Sequence, residues 1–221
     1  MKVKTIALTF KCEKFVRADA KKLRGYFASR FGEFDLVHHH INDKFFYRFP
    51  LIQYKILNRA PLVLGINEGA DLLQRIHEGI YHLRIGQKDY EIIEKTISLK
   101  TDDFGISGNV STYLFSYPWL ALNEKNYDKY LRLGSQAKKK KLLEKILVGN
   151  ILSMSKGLGY TVPAPVEAKI INIKEVETSL KGNPMLGFLG TFSVNFEIPD
   201  YWGIGKSVSR GFGTVKRIDK Q

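Results

Sequence analysis

The chain has 221 residues, 44% hydrophobic and 26% charged, a globular composition that excludes a disordered, collagen-like or coiled-coil chain and leaves room for two domains. Lys and Arg number 35 against 22 Asp and Glu, and the resulting net charge of +13 draws polyanions to the surface and points to a nucleic-acid partner. The single cysteine, Cys12, excludes an internal disulfide and a thiolate zinc site, and implies a reducing, cytoplasmic setting.

In chain order, Val3, Ile6, Leu8 and Phe10 give a strand-like alternation. This apolar stretch is shorter than a signal-peptide core of about 7–15 residues, and no other segment approaches the roughly 20 apolar residues of a bilayer crossing, so no membrane partner is expected. Helical spacing follows from Asp19 to Phe31 through Leu23, Tyr26 and Phe27, ended by Gly32. Beyond a loop with three histidines, Tyr47 to Leu57 reads as a strand and Pro61 to Ile66 as its hairpin partner across Asn58-Arg59. Asn67 then caps a second helix to Gly79, and Tyr81 to Ile85 alternates again. The order βαββαβ is that of a ferredoxin-like unit. The second half predicts strands at Tyr90 to Leu99, Tyr113 to Tyr117, Ala168 to Val176 and Leu186 to Ile198. Between them lie helices over Asn123 to Leu133 and Ser135 to Ser155, the latter with Leu142, Leu143, Ile146, Leu147 and Ile151 on one face. The fold class is therefore α+β, with a first domain over 1–88 and a second, modified copy over 89–221.

Near the C-terminus, Gly203-Ile-Gly-Lys-Ser-Val-Ser-Arg-Gly-Phe-Gly213 places four glycines in eleven residues, with Lys206 and Arg210 between them. Glycine lets backbone N–H groups approach an anion closely, and the two cations add charge, so Gly203, Gly205, Lys206, Arg210, Gly211 and Gly213 are candidate phosphate contacts. The bland alternative is a tight turn before a terminal strand. A nucleotide P-loop is excluded because Asp200 stands where its first glycine belongs, and a dinucleotide fingerprint because Val208 stands where glycine or alanine is needed. Lys138 and Lys139, in a lysine run opening the long helix, are a candidate phosphate-facing patch or a solvated face. Tyr113, Phe115, Tyr117 and Trp119 read as core.

His38, His39 and His40 are consecutive. In an extended segment His38 and His40 share a face, and imidazole, with an unperturbed pKa of about 6.5, serves as base in one ring and acid in the next. RNA cleavage by its own 2′-hydroxyl needs those two roles. Tyr47 and Lys44 lie close enough in sequence to orient a ring or stabilise charge on the phosphate. Inert surface histidines, or a metal site with Asp35 or Asp43, are the rival readings. His77 and His82 read as structural.

With the glycine loop, two α+β halves and histidines after the first helix, the chain resembles the Cas-six family of CRISPR-associated repeat-RNA endoribonucleases, in the RAMP superfamily. The resemblance extends to a subgroup carrying Arg48-Phe-Pro-Leu-Ile-Gln-Tyr-Lys55 and Gly65-Ile-Asn-Glu-Gly69. It implies two tandem ferredoxin-like (RRM-like) domains with antiparallel sheets and RNA in a central cleft. It also implies metal-independent cleavage of precursor CRISPR RNA, leaving a 2′,3′-cyclic phosphate and a 5′-hydroxyl. Carried onto this chain, His40 and His38 are the acid–base pair and Tyr47 supports them, with Lys44 and Arg30 as assisting cations, while the glycine loop holds backbone. The implied partner is CRISPR repeat RNA, with other CRISPR-associated subunits and a homodimer left open; no cofactor and no metal are implied. A non-catalytic guide-RNA-binding subunit with the same fold is the alternative.

Overall fold

A computed structural model describes residues 1–38, 40–41, 44–45 and 49–218, the side chains at 38, 40, 41, 44 and 45 excepted. The chain divides into two compact units. One comprises residues 2–103 and 208–211; the other comprises residue 1, residues 104–207 and the chain from 212 onward.

In the first unit, strand β1 (Lys2–Cys12) buries Val3, Ile6, Leu8 and Phe10, and helix α1 (Ala20–Arg30) starts where the Asp19 carboxylate accepts a hydrogen bond from the Lys22 N–H at 2.9 Å. After a short helix α2 (Asp35–His38), the two-residue strands β2 (His40–Ile41) and β3 (Lys44–Phe45) pair with each other. Strands β4 (Ile52–Leu57) and β5 (Ala60–Ile66) form the expected hairpin. Its turn residues Asn58 and Arg59 have φ of 49° and 64°, the left-handed pair that a two-residue connection requires. Helix α3 (Glu68–Ile76), β6 (His82–Ile85) and β7 (Lys88–Asp103) complete the unit. Leu23, Tyr26 and Phe27 of α1 and Ala70, Leu72, Leu73 and Ile76 of α3 bury against Ile6, Leu8, Phe10 and Val63, so the helices share one core with the sheet.

Two expectations are corrected here. The strand predicted from Tyr47 begins only at Ile52; Pro50 has no N–H to give a ladder, and Tyr47 lies outside the described residues. The boundary at 88/89 falls at the first residue of β7, which pairs antiparallel with β1 from Lys2↔Asp103 to Cys12↔Ile92, so the first unit runs to Asp103. Strand β7 stands between β1 and β6, and the sheet order is β4-β5-β1-β7-β6 rather than a four-stranded arrangement. Alternation identifies a strand but says nothing about its partner, which is why the sequence assigned this segment to the wrong half.

The second unit carries β8 (Gly105–Phe115), α4 (Glu124–Arg132), α5 (Gln136–Gly157), β9 (Ala168–Leu180), β10 (Asn183–Glu197) and β11 (Val215–Arg217). Its sheet order is β11-β8-β10-β9. Helix α5 buries Leu142, Leu143, Leu147 and Ile151, as the spacing predicted, and also Met154, while Ile146 is half-buried. Tyr113, Phe115 and Trp119 are core, and the rings of Phe115 and Trp119 stack at 5.2 Å. No helix connects β10 to β11; the glycine-rich segment does, with a single 3-10 turn at Val208–Arg210.

Candidate functional site

The glycine-rich segment is built by close approach. Gly205 (φ 89°) sits where a Cβ would lie 2.7 Å from Trp119 Nε1 and 2.8 Å from Asn150 Oδ1, two atoms that are themselves hydrogen-bonded at 3.0 Å. Gly213 (φ 64°) presses on the Ile204 carbonyl, and Gly203 bridges to Thr214. The N–H of Gly213 donates to Pro118 O at 2.9 Å and that of Gly211 to Val208 O at 3.0 Å. Those two N–H groups are therefore engaged within the protein, and at Gly211 and Gly213 the backbone donors serve the turn. The cations remain, with Lys206 exposed and Arg210 half-buried.

Gly213→Ala is accordingly expected to destabilise strongly. The left-handed backbone costs a non-glycine residue about 1–2 kcal/mol, and the carbonyl of Ile204 must move as well. Urea unfolding beside the control Gly108→Ala, where no atom lies within 4 Å of the added Cβ, checks this; equal midpoints would show that the turn yields freely.

Residues 208–211 pack within the first unit, where the 3-10 turn lies against β4 and α1. A Cβ on Gly211 would stand 3.2 Å from both Ala20 Cβ and Tyr54 O. The turn thereby covers β4, the edge strand of the sheet, which otherwise presents unpaired backbone groups. Arg24 of α1, Tyr54 of β4 and Arg210 come together here. Burial lowers the Arg24 pKa and the positive charge of Arg210 lowers it further, while the Tyr54 phenol, 1% exposed and packed on Phe27 at 5.3 Å, has its pKa raised by burial.

On β4 the period-two alternation turns Gln53 and Lys55 to the face opposite Tyr54. Both are buried, and Lys55 Nζ donates to Gln53 Oε1 at 3.0 Å. Burial pushes the Lys55 pKa down to about 7. The sequence reading assigned no role to Arg24, Tyr54 or Lys55; the available signal was polar side chains, Gln53 and Lys55, inside a strand bounded by apolar residues.

The histidine segment is only partly described. His38 is the last residue of α2 and His40 the first of β2. The backbone thus changes from helix to strand within the triplet, and the expectation that an extended chain sets His38 and His40 on one face does not apply across that change. Lys44 pairs with Ile41, while His40 pairs with Phe45. His39, Asp43 and Tyr47 lie outside the described residues. Arg30 is committed elsewhere: its Nη2 donates to Gly79 O at 2.7 Å, and its guanidinium lies 5.7 Å from the centre of the Phe31 ring. Beside it, Lys22, Tyr26, Ser29, His82 and Arg84 line an open pocket of about 460 Å³, with His82 exposed on it. Among the described residues no group of three or more His, Cys, Asp or Glu could hold a metal ion.

Lys138 is exposed. Lys139 is not a free cation: its Nζ lies 3.7 Å from Glu175 Oε1 and 4.5 Å from the centre of the Tyr130 ring, and Tyr130 Oη donates to the same carboxylate oxygen at 2.6 Å.

Two antiparallel sheets in this arrangement recur in solved structures. A crystal structure of Cas6b is 38% identical over 99% of this chain and 100% of that one, with a TM-score of 0.91. A crystal structure of a CRISPR RNA processing endoribonuclease, Cas6b, is 36% identical over the same shares, with a TM-score of 0.79. The fold is thus that of the CRISPR-associated Cas6 proteins. Residues 1–103 match the model of the Cas6b N-terminal domain and residues 105–218 that of the Cas6b C-terminal domain, meeting where β7 gives way to β8. The chain belongs to the Cas6b family. An uncharacterized protein of Methanocaldococcus jannaschii is also similar, 46% identical over 141 residues that make up 64% of this chain and 95% of that protein. No helix among the described residues is long and apolar enough to cross a membrane.

Proposed function

We propose that this chain is an endoribonuclease that cuts precursor CRISPR RNA within its repeats. The observation that carries the reading is similarity over 99% of the chain, at 36% identity, to a structure described as a CRISPR RNA processing endoribonuclease, with both halves matching Cas6b models. In this reading each half is a ferredoxin-like domain; the order βαββαβ of the first supports it, with β7 as an added strand. The net charge of +13 supplies the attraction for RNA.

One imidazole of the pair His40 and His38 takes the proton of a ribose 2′-hydroxyl. The resulting oxygen attacks the adjacent phosphorus, the bond from phosphorus to the 5′-oxygen breaks, and the other imidazole, protonated, gives its proton to that oxygen. Atoms and protons balance without a metal or a cofactor, and the ends are a 2′,3′-cyclic phosphate and a 5′-hydroxyl. Tyr47 orients a ring and Lys44 stabilises the phosphorane charge. Lys206, Arg210 and Lys138 hold RNA backbone. Other CRISPR-associated subunits, a homodimer and a cytoplasmic location are consistent with this reading.

Incubating end-labelled repeat RNA with the protein in excess chelator tests it. The expected result is a single cut, with 3′ ends that accept no adenylate until the cyclic phosphate is removed. Binding without any cut would instead favour a non-catalytic guide-RNA-binding subunit, and cleavage lost on chelation would require a metal.

A further inference from the structure

Two costly features meet at one end of the first unit's sheet. Strands β4 and β5 are joined by Asn58-Arg59, both in the left-handed region, and at the second position of such a turn glycine is the residue that fits without strain. Arginine stands there instead, with φ of 64°. The other feature is Phe15, 71% exposed although its neighbour Val16 is buried in the core. The segment is tied down at both ends: the Glu13 N–H donates to Glu91 O at 3.0 Å and the Val16 N–H to Arg59 O at 3.1 Å, so the backbone of the turn itself sets Phe15 beside Arg59. The Arg59 guanidinium lies 5.5 Å from the centre of the Phe15 ring. With Asn58, Ile93, Lys11 and Lys14 the two side chains line an open pocket of about 380 Å³. Glu13 and Glu94 line it too, held by Lys14 at 3.8 Å and by Lys11 at 3.5 Å in exposed pairs that contribute little to the fold, and neither carboxylate pairs with Arg59 among the described residues. A glycine at 59 and a polar residue at 15 would serve the fold at least as well, so what this pair offers is a contact to something outside the chain.

We propose that Phe15 and Arg59 form a stacking site for one unpaired nucleotide of single-stranded RNA. The base lies on the open face of the Phe15 ring while the guanidinium backs the ring. A guanidinium packed on an aromatic still directs its N–H groups outward in its own plane, so Arg59 reaches the phosphate of the same nucleotide. Lys11 and Lys14 add charge beside it, and Asn58 supplies an amide for the base edge. An exposed ring among cations suits a single strand, whereas an apolar protein surface seated here would bury Arg59 without an acceptor. The choice of RNA rests on the function proposed above; the stacking site does not require that the RNA be cut.

The probe is labelled repeat RNA with fluorine in place of each 2′-hydroxyl, which lacks the attacking group and so reads binding alone. Phe15→Ala is expected to bind it about tenfold more weakly, the share of one stacked base. Across a set of probes each lacking one base, the parent is expected to lose about tenfold at one position, where Phe15→Ala loses nothing further. Arg59→Gly is expected to weaken binding and to lower the slope of log affinity against log salt by about 0.7, the share of one phosphate on a single strand. The free Arg59→Gly variant should unfold at the same or higher urea concentration, because the strain at the turn is gone. Unchanged affinity in either variant overturns the site, and so do losses that simply add at every position of the probe. An Arg59→Gly variant that unfolds earlier than the parent overturns it as well, since the arginine would then serve the fold. A parent that sediments as a dimer, with Phe15→Ala a monomer of full affinity, assigns the pair to a second copy of the chain instead. If the parent binds no repeat RNA, the function proposed above fails separately and oligoadenylate decides the site: binding that both variants lose retains it, and no binding, or equal binding by all three proteins, overturns it. Should Phe15→Ala not fold, Arg59→Gly with the missing-base probes carries the same comparison.

Discussion

Replacing His38 and His40 together by alanine is expected to slow cleavage of repeat RNA by at least about a thousandfold under single-turnover conditions, while affinity for the RNA changes less than about threefold. A positioned general acid or base contributes about 10²–10⁴ each, and two groups acting on one displacement are not additive, so the double variant falls short of the product. Affinity survives because a neutral imidazole adds nothing to the electrostatic attraction, which comes from 35 Lys and Arg. The parent should show a bell-shaped rate profile, since one ring must be neutral and its partner charged, with limbs on either side of the unperturbed imidazole value of about 6.5. The single variants then sort the roles: the one lacking the base loses the acid limb of the bell, and the one lacking the acid loses the alkaline limb. A double variant that cuts at the parental rate would remove the histidines from the mechanism and send the search to Tyr47 and Lys44.

Local chemistry explains what the sequence made legible. The helical spacing from Asp19 to Phe31 matches α1, which Asp19 caps; Asn58-Arg59 takes the left-handed pair of a two-residue hairpin; Leu143, Leu147 and Ile151 repeat at helical spacing and are buried. Pairing over long distances was not legible. Strand β7 bonds to β1 with Lys2 opposite Asp103, and nothing within residues 88–103 encodes that partner. The glycine-rich segment was ambiguous for a related reason. Its composition fits both a phosphate cradle and a close-packed turn, and the choice depends on remote atoms: Trp119 and Asn150 against Gly205, the Ile204 carbonyl against Gly213, Tyr54 against Gly211. Arg24 has an ordinary helical position, and its burial, with the charge of Arg210 second, is what makes it unusual.

Lys55→Met is expected to stabilise the free protein, and by an amount that depends on pH. Lys55 is 1% exposed, with Gln53 Oε1 as its hydrogen-bond acceptor, and desolvation of the ammonium pushes its pKa down to about 7. In the unfolded chain a lysine titrates near 10.4. Between those two values the unfolded state holds a proton that the folded state has released, so the unfolded state binds more protons and stability rises with pH across that window. Below about 7 the lysine is charged in both states and the full cost of burying an ammonium is present; above about 10.4 it is neutral in both and the cost is gone. Each unit of displacement corresponds to about 1.4 kcal/mol. Methionine has similar length and no charge, and replacing a poorly compensated buried ion by an apolar side chain of like volume stabilises by about 1–4 kcal/mol. The gain should therefore be on the order of 3 kcal/mol at pH 6 and be abolished near pH 10, since roughly three pH units at about 1.4 kcal/mol each remove about 4 kcal/mol of the parent's cost, and Gln53 there loses a neutral partner instead of a charged one. Urea unfolding of both proteins from pH 6 to pH 10 measures it. Parallel stability curves would mean that Lys55 keeps its proton in the fold, and a variant weaker than the parent at pH 6 would mean that its bond to Gln53 outweighs the loss of hydration.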